Sequence, residues 1–306
     1  MSKLKRKRPE VQSNNNPRVF TKPSAAVRVE HDKKVAPMKP VTLREINTSL
    51  LVKTSDKPIG SGTFGQVFLA EYRGMKAVVK EMKRRNESKK ETERCKHEVL
   101  HEARVLVNLG DHPNLPFLFG ICTEKEPFSL VIQFYGKGEK SLTLHKFVVD
   151  RILRQQSTAK VFQDIVNTLK YIHKKGYIHN DLKSNNVIMH RRGDEFHPII
   201  IDFGKSKEIL KVEGYKRRAA SYIAPEVILG DKESPASDMY SFGKMLEAAV
   251  SCRSFCSSFE KIISDTTALS ASDRPSACKV SLLLESLTGP IGTTKYEVED
   301  EVSLYC

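Results

Sequence analysis

The chain has 306 residues, 39% of them hydrophobic, enough to bury a large core as one long domain or as two lobes. Its six cysteines form no C-x-x-C pair and follow no secretory leader, and no apolar run approaches the roughly 18 residues that span a bilayer. A disulfide scaffold and a membrane protein are therefore excluded, and a soluble, reduced protein of the cytoplasm or nucleus is expected. The net charge of +14 is uneven, with twelve Lys/Arg against four Asp/Glu inside residues 1–45.

That opening segment carries five prolines and one aromatic, Phe20, so it cannot build a core, and a disordered basic tail is predicted. Lys3, Lys5, Arg6, Lys7 and Arg8, ahead of Pro9, have the form of a nuclear localisation signal. A merely solvated basic tail is an equal alternative, and the same charges could hold nucleic acid. Folding is expected to begin near Ile46. Ile59-Gly60-Ser61-Gly62-Thr63-Phe64-Gly65-Gln66-Val67 follows the form G-x-G-x-x-G-x-V, in which glycines let backbone N–H groups approach phosphates. An ordinary hairpin turn would look the same. The flanks add a strand over 67–70, a turn at Arg73-Gly74 and a strand over 77–80 that ends in Lys80.

Residues 88–109 are predicted to be helical, with Val99, Ala103, Leu106 and Val107 as the apolar stripe. Glu98 and Glu102 on this helix are both candidate partners for Lys80. Residues 130–135 read as a strand, and Gly136-Lys137-Gly138 as a flexible continuation. A second helix over 158–175 carries Val161, Ile165, Leu169 and Ile172 and is capped by Gly176. Next comes His179-Asn180-Asp181-Leu182-Lys183-Ser184-Asn185-Asn186, and twenty-one residues after Asp181, behind the apolar Ile199-Ile200-Ile201, stands Asp202-Phe203-Gly204. A loop with a carboxylate, an ammonium and an amide, followed by a buried strand that delivers a second carboxylate, is the inventory that phosphoryl transfer from a magnesium-bound nucleotide needs.

His-x-Asp-Leu-Lys-x-x-Asn followed by Asp-Phe-Gly resembles the eukaryotic protein kinases. Further matches are Ala224-Pro225-Glu226, Asp238-Met239-Tyr240-Ser241-Phe242-Gly243 and Arg274 in Asp273-Arg274-Pro275, so the resemblance covers about residues 46–287. It implies an α+β, two-lobed fold: a small β-rich lobe with one helix over about 46–135, and a larger, mainly helical lobe over about 136–287. The basic tail, residues 1–45, precedes it, and an acidic tail, residues 288–306 with Glu297 to Glu301, follows. ATP and Mg²⁺ are the implied cofactors and a protein substrate the implied partner, with no membrane; the oligomeric state stays open.

By the same resemblance Asp181 orients the substrate hydroxyl, Lys183 neutralises the γ-phosphate, and Lys80 pairs the α/β-phosphates. Glu102 is taken as the partner of Lys80, because Glu102-Ala103-Arg104-Val105-Leu106 and the following His112-Pro113-Asn114-Leu115 fit the kinase helix C. Asn186 and Asp202 are the implied Mg²⁺ ligands. ATP is expected against Ile59, Gly60, Ser61, Gly62, Thr63, Phe64, Gly65, Val67, Ala77, Lys80, Ile132 at the gatekeeper position, the backbone of Gln133 and Tyr135, and Ile188. Leu106, Leu118, His179 and Phe203 are expected to stack between the lobes, Asp238 to tie down the catalytic loop, and Glu226 to pair with Arg274. Lys80→Met is expected to leave folding intact.

Lys183 two residues after Asp181 is the serine/threonine form, and Asp-Leu-Lys-Ser-Asn-Asn resembles the Raf and mixed-lineage members of the tyrosine-kinase-like group. Three positions depart from the pattern. Asn180 replaces the usual arginine, which implies that activation-segment phosphorylation is not needed. Ala219 stands where serine/threonine kinases usually have a threonine that bonds Asp181 and the catalytic lysine. The activation segment is short and basic, with Lys205, Lys207, Lys211, Lys216, Arg217 and Arg218, suited to acidic or phosphorylated substrates or simply solvated. A non-catalytic pseudokinase scaffold is the rival that Asn180 and Ala219 support. A small-molecule kinase of the aminoglycoside type is opposed by Ala224-Pro225-Glu226 and Arg274.

Overall fold

The computed structural model describes residues 42–62, 65–153, 155–193, 195–251 and 257–288. Residues 1–41 of the basic tail with its localisation motif, Thr63, Phe64 and residues 289–306 of the acidic tail lie outside the described residues.

The first lobe is an antiparallel sheet of β1 (Leu51–Lys53), β2 (Gly60–Ser61), β3 (Gly65–Tyr72), β4 (Met75–Met82), β5 (Leu118–Cys122) and β6 (Ser129–Gln133). The strand order is β1-β3-β4-β6-β5, with β2 paired to β3. Between β3 and β4, Arg73 and Gly74 both take positive φ, 52° and 77°, the geometry that a two-residue hairpin loop requires. Side chains alternate along each strand and cross-strand partners share a face. Val67 pairs with Lys80, Leu69 with Val78, Val78 with Ile132 and Lys80 with Leu130, so these residues line one face. Ala70, Tyr72, Ala77, Val79 and Val131 form the other, packed with Ile46, Phe119 and Cys122.

Helix α1 (Lys89–Leu109) starts at Ser88, whose hydroxyl accepts from the Glu91 amide, and stops at Gly110 with φ 74°. Cys95, Val99, Ala103 and Leu106 are buried, but Val107 is 40% exposed. At 3.6 residues per turn Val107 lies about 80° round the helix from Val99, off the stripe in which the sequence pattern placed it. Ordered packing also starts earlier than Ile46. Leu43 packs against the core, the Arg44 carbonyl accepts from Ile121 N at 2.9 Å, and the Glu45 carboxylate accepts from the Thr123 and Glu124 amides.

The second lobe holds α2 (Leu144–Val149), α3 (Gln155–Lys174), β7 (Tyr177–Ile178), β8 (Val187–Arg192), β9 (Glu195–Ile200), β10 (Lys207–Glu208), α4 (Pro225–Leu229), α5 (Pro235–Val250), α6 (Ser257–Thr266) and α7 (Ala277–Thr288). Val161, Ile165, Leu169 and Ile172 of α3 are buried at its centre, in one core that also takes in Leu106, Leu130, Phe203 and Phe242. The link from β6 is not a free loop: Lys137 and Lys140 exchange backbone hydrogen bonds of 3.0 and 3.1 Å. In the β8–β9 hairpin Val187 pairs with Ile200. That register sets Asn186 beside Ile201, whose N–H donates to the Asn186 carbonyl at 2.9 Å, and so brings the segment containing Asp202 alongside the catalytic loop.

Candidate active site

Lys80 projects from β4 between two carboxylates, 2.7 Å from Glu102 Oε2 and 2.7 Å from Asp202 Oδ1. Glu98, the other candidate on α1, pairs with Arg94 instead. Burial works against the Lys80 ammonium, but Glu102 and Asp202 outweigh it and raise its pKa, so it is cationic at any working pH. The same balance lowers Asp202, where burial is overcome by Lys80. Glu102 is raised, by burial and by the like charge of Asp202 against the pull of Lys80. Asp202 takes φ 67°, a left-handed conformation that Asp tolerates better than most side chains. Beyond it the Phe203 ring lies edge-on to His179, with centroids 4.9 Å apart.

Asp238 of α5 holds the catalytic loop from beneath. Its carboxylate accepts from His179 N at 2.8 Å and Asn180 N at 2.9 Å, and it bonds the His173 ring at 2.9 Å. Burial opposes its charge, but His173 and these donors bring its pKa down.

Asp181 is 3% exposed, and its carboxylate is crowded with cations. Lys183 Nζ is 2.9 Å from Oδ2, Lys205 Nζ is 3.0 Å from Oδ1, and Arg217 Nη2 is 3.4 Å from Oδ1. The Asn186 amide donates to the Asp181 carbonyl at 2.9 Å, which directs Asn186 Oδ1 away from it. Burial would raise the Asp181 pKa, but Lys183 and Lys205 more than reverse that. Neither Lys205 nor Arg217 was foreseen as a partner of Asp181, and no spacing rule would have found them. Of the six activation-segment cations, Lys207 pairs with buried Glu233 at 3.1 Å and Lys211 with Glu208 at 2.8 Å, while Lys216 and Arg218 are exposed. Ala219 is exposed as well, and its side chain can offer Asp181 no hydrogen bond; Lys205 and Arg217 contact that carboxylate instead.

The residues named for ATP divide. Val67 and Ile132 share the face of Lys80. Ala77 does not: it points to the opposite face, fully buried among Tyr72, Val79 and Phe119. Val78, two residues before Lys80, holds the place assigned to it, and strict period-two counting would have found it. Ile59 donates its N–H to the Val67 carbonyl at 2.8 Å, and Ile188 bridges to Thr143. Gln133 N donates to Phe117 O at 2.9 Å, and the Tyr135 carbonyl accepts from Ser141 at 2.7 Å. Gly65 is demanded by the sheet, since a Cβ there would lie 2.0 Å from the Glu81 carbonyl. At Gly62 a Cβ would meet nothing within 4 Å, so protein packing does not explain that glycine, whereas close approach of a phosphate would. With the carboxylate of Asp202, the free amide oxygen of Asn186 and the Lys80 ammonium, this donor set fits a nucleotide with Mg²⁺. Among the described residues no three His, Cys, Asp or Glu cluster to hold a metal unaided. Mg²⁺ commonly takes only one or two protein oxygens beside water and phosphate.

Further from the cleft, Arg274 forms a two-pronged pair with Glu226, at 2.7 Å on each arm. No described helix is long and apolar enough to cross a membrane.

A β-rich lobe with one helix, a helical lobe, and a lysine and two carboxylates meeting above a pinned loop define a protein kinase domain. Residues 54–284 match the protein kinase domain family, and the chain belongs to it. Over 196 residues it is 32% identical to the human tyrosine-protein kinase TXK, an alignment covering 62% of this chain and 34% of that protein. The matched region thus spans about a third of the length of that relative.

Proposed function

We propose that this protein transfers the γ-phosphoryl group of ATP to serine or threonine hydroxyls of protein substrates. The observation that carries the reading is the meeting of Lys80 with Glu102 and Asp202, each at 2.7 Å, beside a catalytic loop in which Asn186 bonds back to Asp181. Lys80, held by Glu102, grips the α/β-phosphates. Asp202 and Asn186 would hold Mg²⁺, which when bound offsets phosphate charge. Asp181, kept ionised by its cations, accepts a hydrogen bond from the acceptor hydroxyl and aims it. A carboxylate with a lowered pKa is a weak base, so positioning is its main contribution. Lys183 is 2.9 Å from Asp181 Oδ2, placed to follow the γ-phosphate, and it supports the serine/threonine assignment. Val67, Val78 and Ile132 supply apolar walls for the adenine, with the Gln133 and Tyr135 backbone at its edge.

The likeness to TXK favours a second reading, transfer to tyrosine. Labelled ATP offered with peptides bearing Ser, Thr or Tyr acceptors separates the two. Label on Tyr peptides alone establishes the second; ATP binding without transfer establishes the scaffold. Asp181→Asn should keep ATP affinity and lose about 10²–10⁴ in turnover, and full turnover in that variant would remove Asp181 from the role given it.

A further inference from the structure

Asn180 lies between the catalytic carboxylate and the activation segment, at φ 64°, and its polar groups are engaged on every side. Its N–H bonds Asp238. Its side-chain amide donates to the Lys205 carbonyl at 3.1 Å and to Glu233 Oε1 at 3.3 Å. Its Oδ1 and backbone carbonyl both accept from Arg217 Nη1, at 3.0 and 2.6 Å. A carboxamide offers one acceptor oxygen and two N–H donors, and here each has a partner. The other arm of Arg217 reaches Asp181 Oδ1 at 3.4 Å, and the Arg217 side chain is only 10% exposed. The surroundings brace this contact. Glu233 is matched by Lys207, β10 pairs with β7, and Gly214 runs so close to α4 that a Cβ would lie 2.5 Å from the Gly230 carbonyl.

We propose that Arg217 is a positioning residue that fastens the activation segment to the catalytic loop through Asn180 and sets the carboxylate of Asp181, so that the segment keeps its place without a phosphate group. The proposal rests on the role given above to Asp181. The fork is essential to it: one planar guanidinium reaches a carbonyl, an amide oxygen and a carboxylate together, which a lysine ammonium on a flexible stem cannot do. Residue 180 must offer an acceptor oxygen, and a donor-only side chain there would face Arg217 with like charge.

The test compares the full chain with Arg217→Ala, Arg217→Lys, Asn180→Ala and the double variant Asn180→Ala/Arg217→Ala, each first shown to melt cooperatively. Hydrogen exchange over residues 205–222 should speed up by about 10- to 100-fold in Arg217→Ala and in Arg217→Lys. Turnover should fall by about 10- to 100-fold with KM for ATP unchanged, and the double variant should be no worse than the poorer single one. Phosphatase treatment should leave the activity of the unaltered chain in place. Unchanged exchange, a rise in turnover (the mark of a plug), an effect carried by KM for ATP, full rescue by lysine, additive losses or loss of activity to phosphatase would each overturn the proposal. Should the unaltered chain move no phosphoryl group, the functional reading fails, and the exchange measurement still decides whether Arg217 holds the segment.

Discussion

Replacing Lys80 with methionine removes the cation that Glu102 and Asp202 both bond while nearly preserving the volume of the side-chain stem. Packing changes little, so the variant isolates charge. The side chains of Lys80, Glu102 and Asp202 are 14%, 5% and 28% exposed. Removing one partner from a buried pair costs about 3–5 kcal/mol; because water reaches Asp202, about 3 kcal/mol is expected. For a domain of this size that is roughly a 6–12 °C fall in Tm. The sign with pH follows from Glu102, whose pKa is raised by burial and by Asp202 and is restrained by Lys80. Without Lys80 it rises further. A carboxyl whose folded pKa exceeds its unfolded one favours folding below the unfolded value, and that stability is lost as pH rises through the folded value. The deficit of the variant should therefore be largest at neutral pH and shrink on acidification. Thermal unfolding followed by circular dichroism at pH 5, 6 and 7.5, without nucleotide, measures it. A Tm within 2 °C of the parent at pH 7.5, or a deficit that widens in acid, would refute the argument and return Lys80→Met to the fold-neutral change that the sequence suggests.

Arg274→Ala should cost about 3–5 kcal/mol, because it strands Glu226 together with the Ala236, Ala268 and Leu269 carbonyls that the buried guanidinium bonds; a urea-unfolding loss under 1 kcal/mol would count against it. His101, His112 and His190 all have pKa values lowered by burial. Their contribution to stability is complete above about pH 6.5, the ordinary histidine value, and is lost as pH falls through the folded values. Tm should thus drop between pH 7 and 5, less steeply in His101→Gln, and a flat profile would contradict this. Val78→Phe should weaken ATP binding at least about tenfold by filling the adenine side of the sheet, whereas Ala77→Val should cost about 1–3 kcal/mol of stability by overpacking the other face and leave ATP affinity alone. Calorimetric titration of both with ATP separates them, and the opposite pattern would restore Ala77 to the nucleotide.

Much of the site was legible because its parts are local. Asp181, Lys183 and Asn186 lie on one short loop, the stripe of α3 repeats at helical spacing, and the β8–β9 hairpin needs only a turn to bring Asp202 back beside Asn186. Lys80 and Glu102 took one further step, a strand and a helix with a known packing. Two positions were misread: Ala77 was named for ATP although alternation along β4 assigns Val78 to the face of Lys80, and Val107 was counted into a stripe it leaves by about a quarter turn. Leu43, Arg44 and Glu45 were missed because they join the sheet edge by one bridge and a carboxylate on two amides, which leave no periodic trace.

The part of the Asp181 environment that the activation segment supplies could not be read, and the reason is physical. Lys205 and Arg217 reach it from irregular backbone on either side of β10, 24 and 36 residues downstream, and a long flexible cation can meet a carboxylate from almost any register. In sequence those side chains looked like a basic loop facing solvent or substrate. In the fold they stand against the catalytic carboxylate, while Lys207 turns to Glu233. Asp181 is therefore held by cations of the activation segment as well as of the catalytic loop, so under the function proposed above a movement of that segment would change the setting of the carboxylate offered to the acceptor hydroxyl.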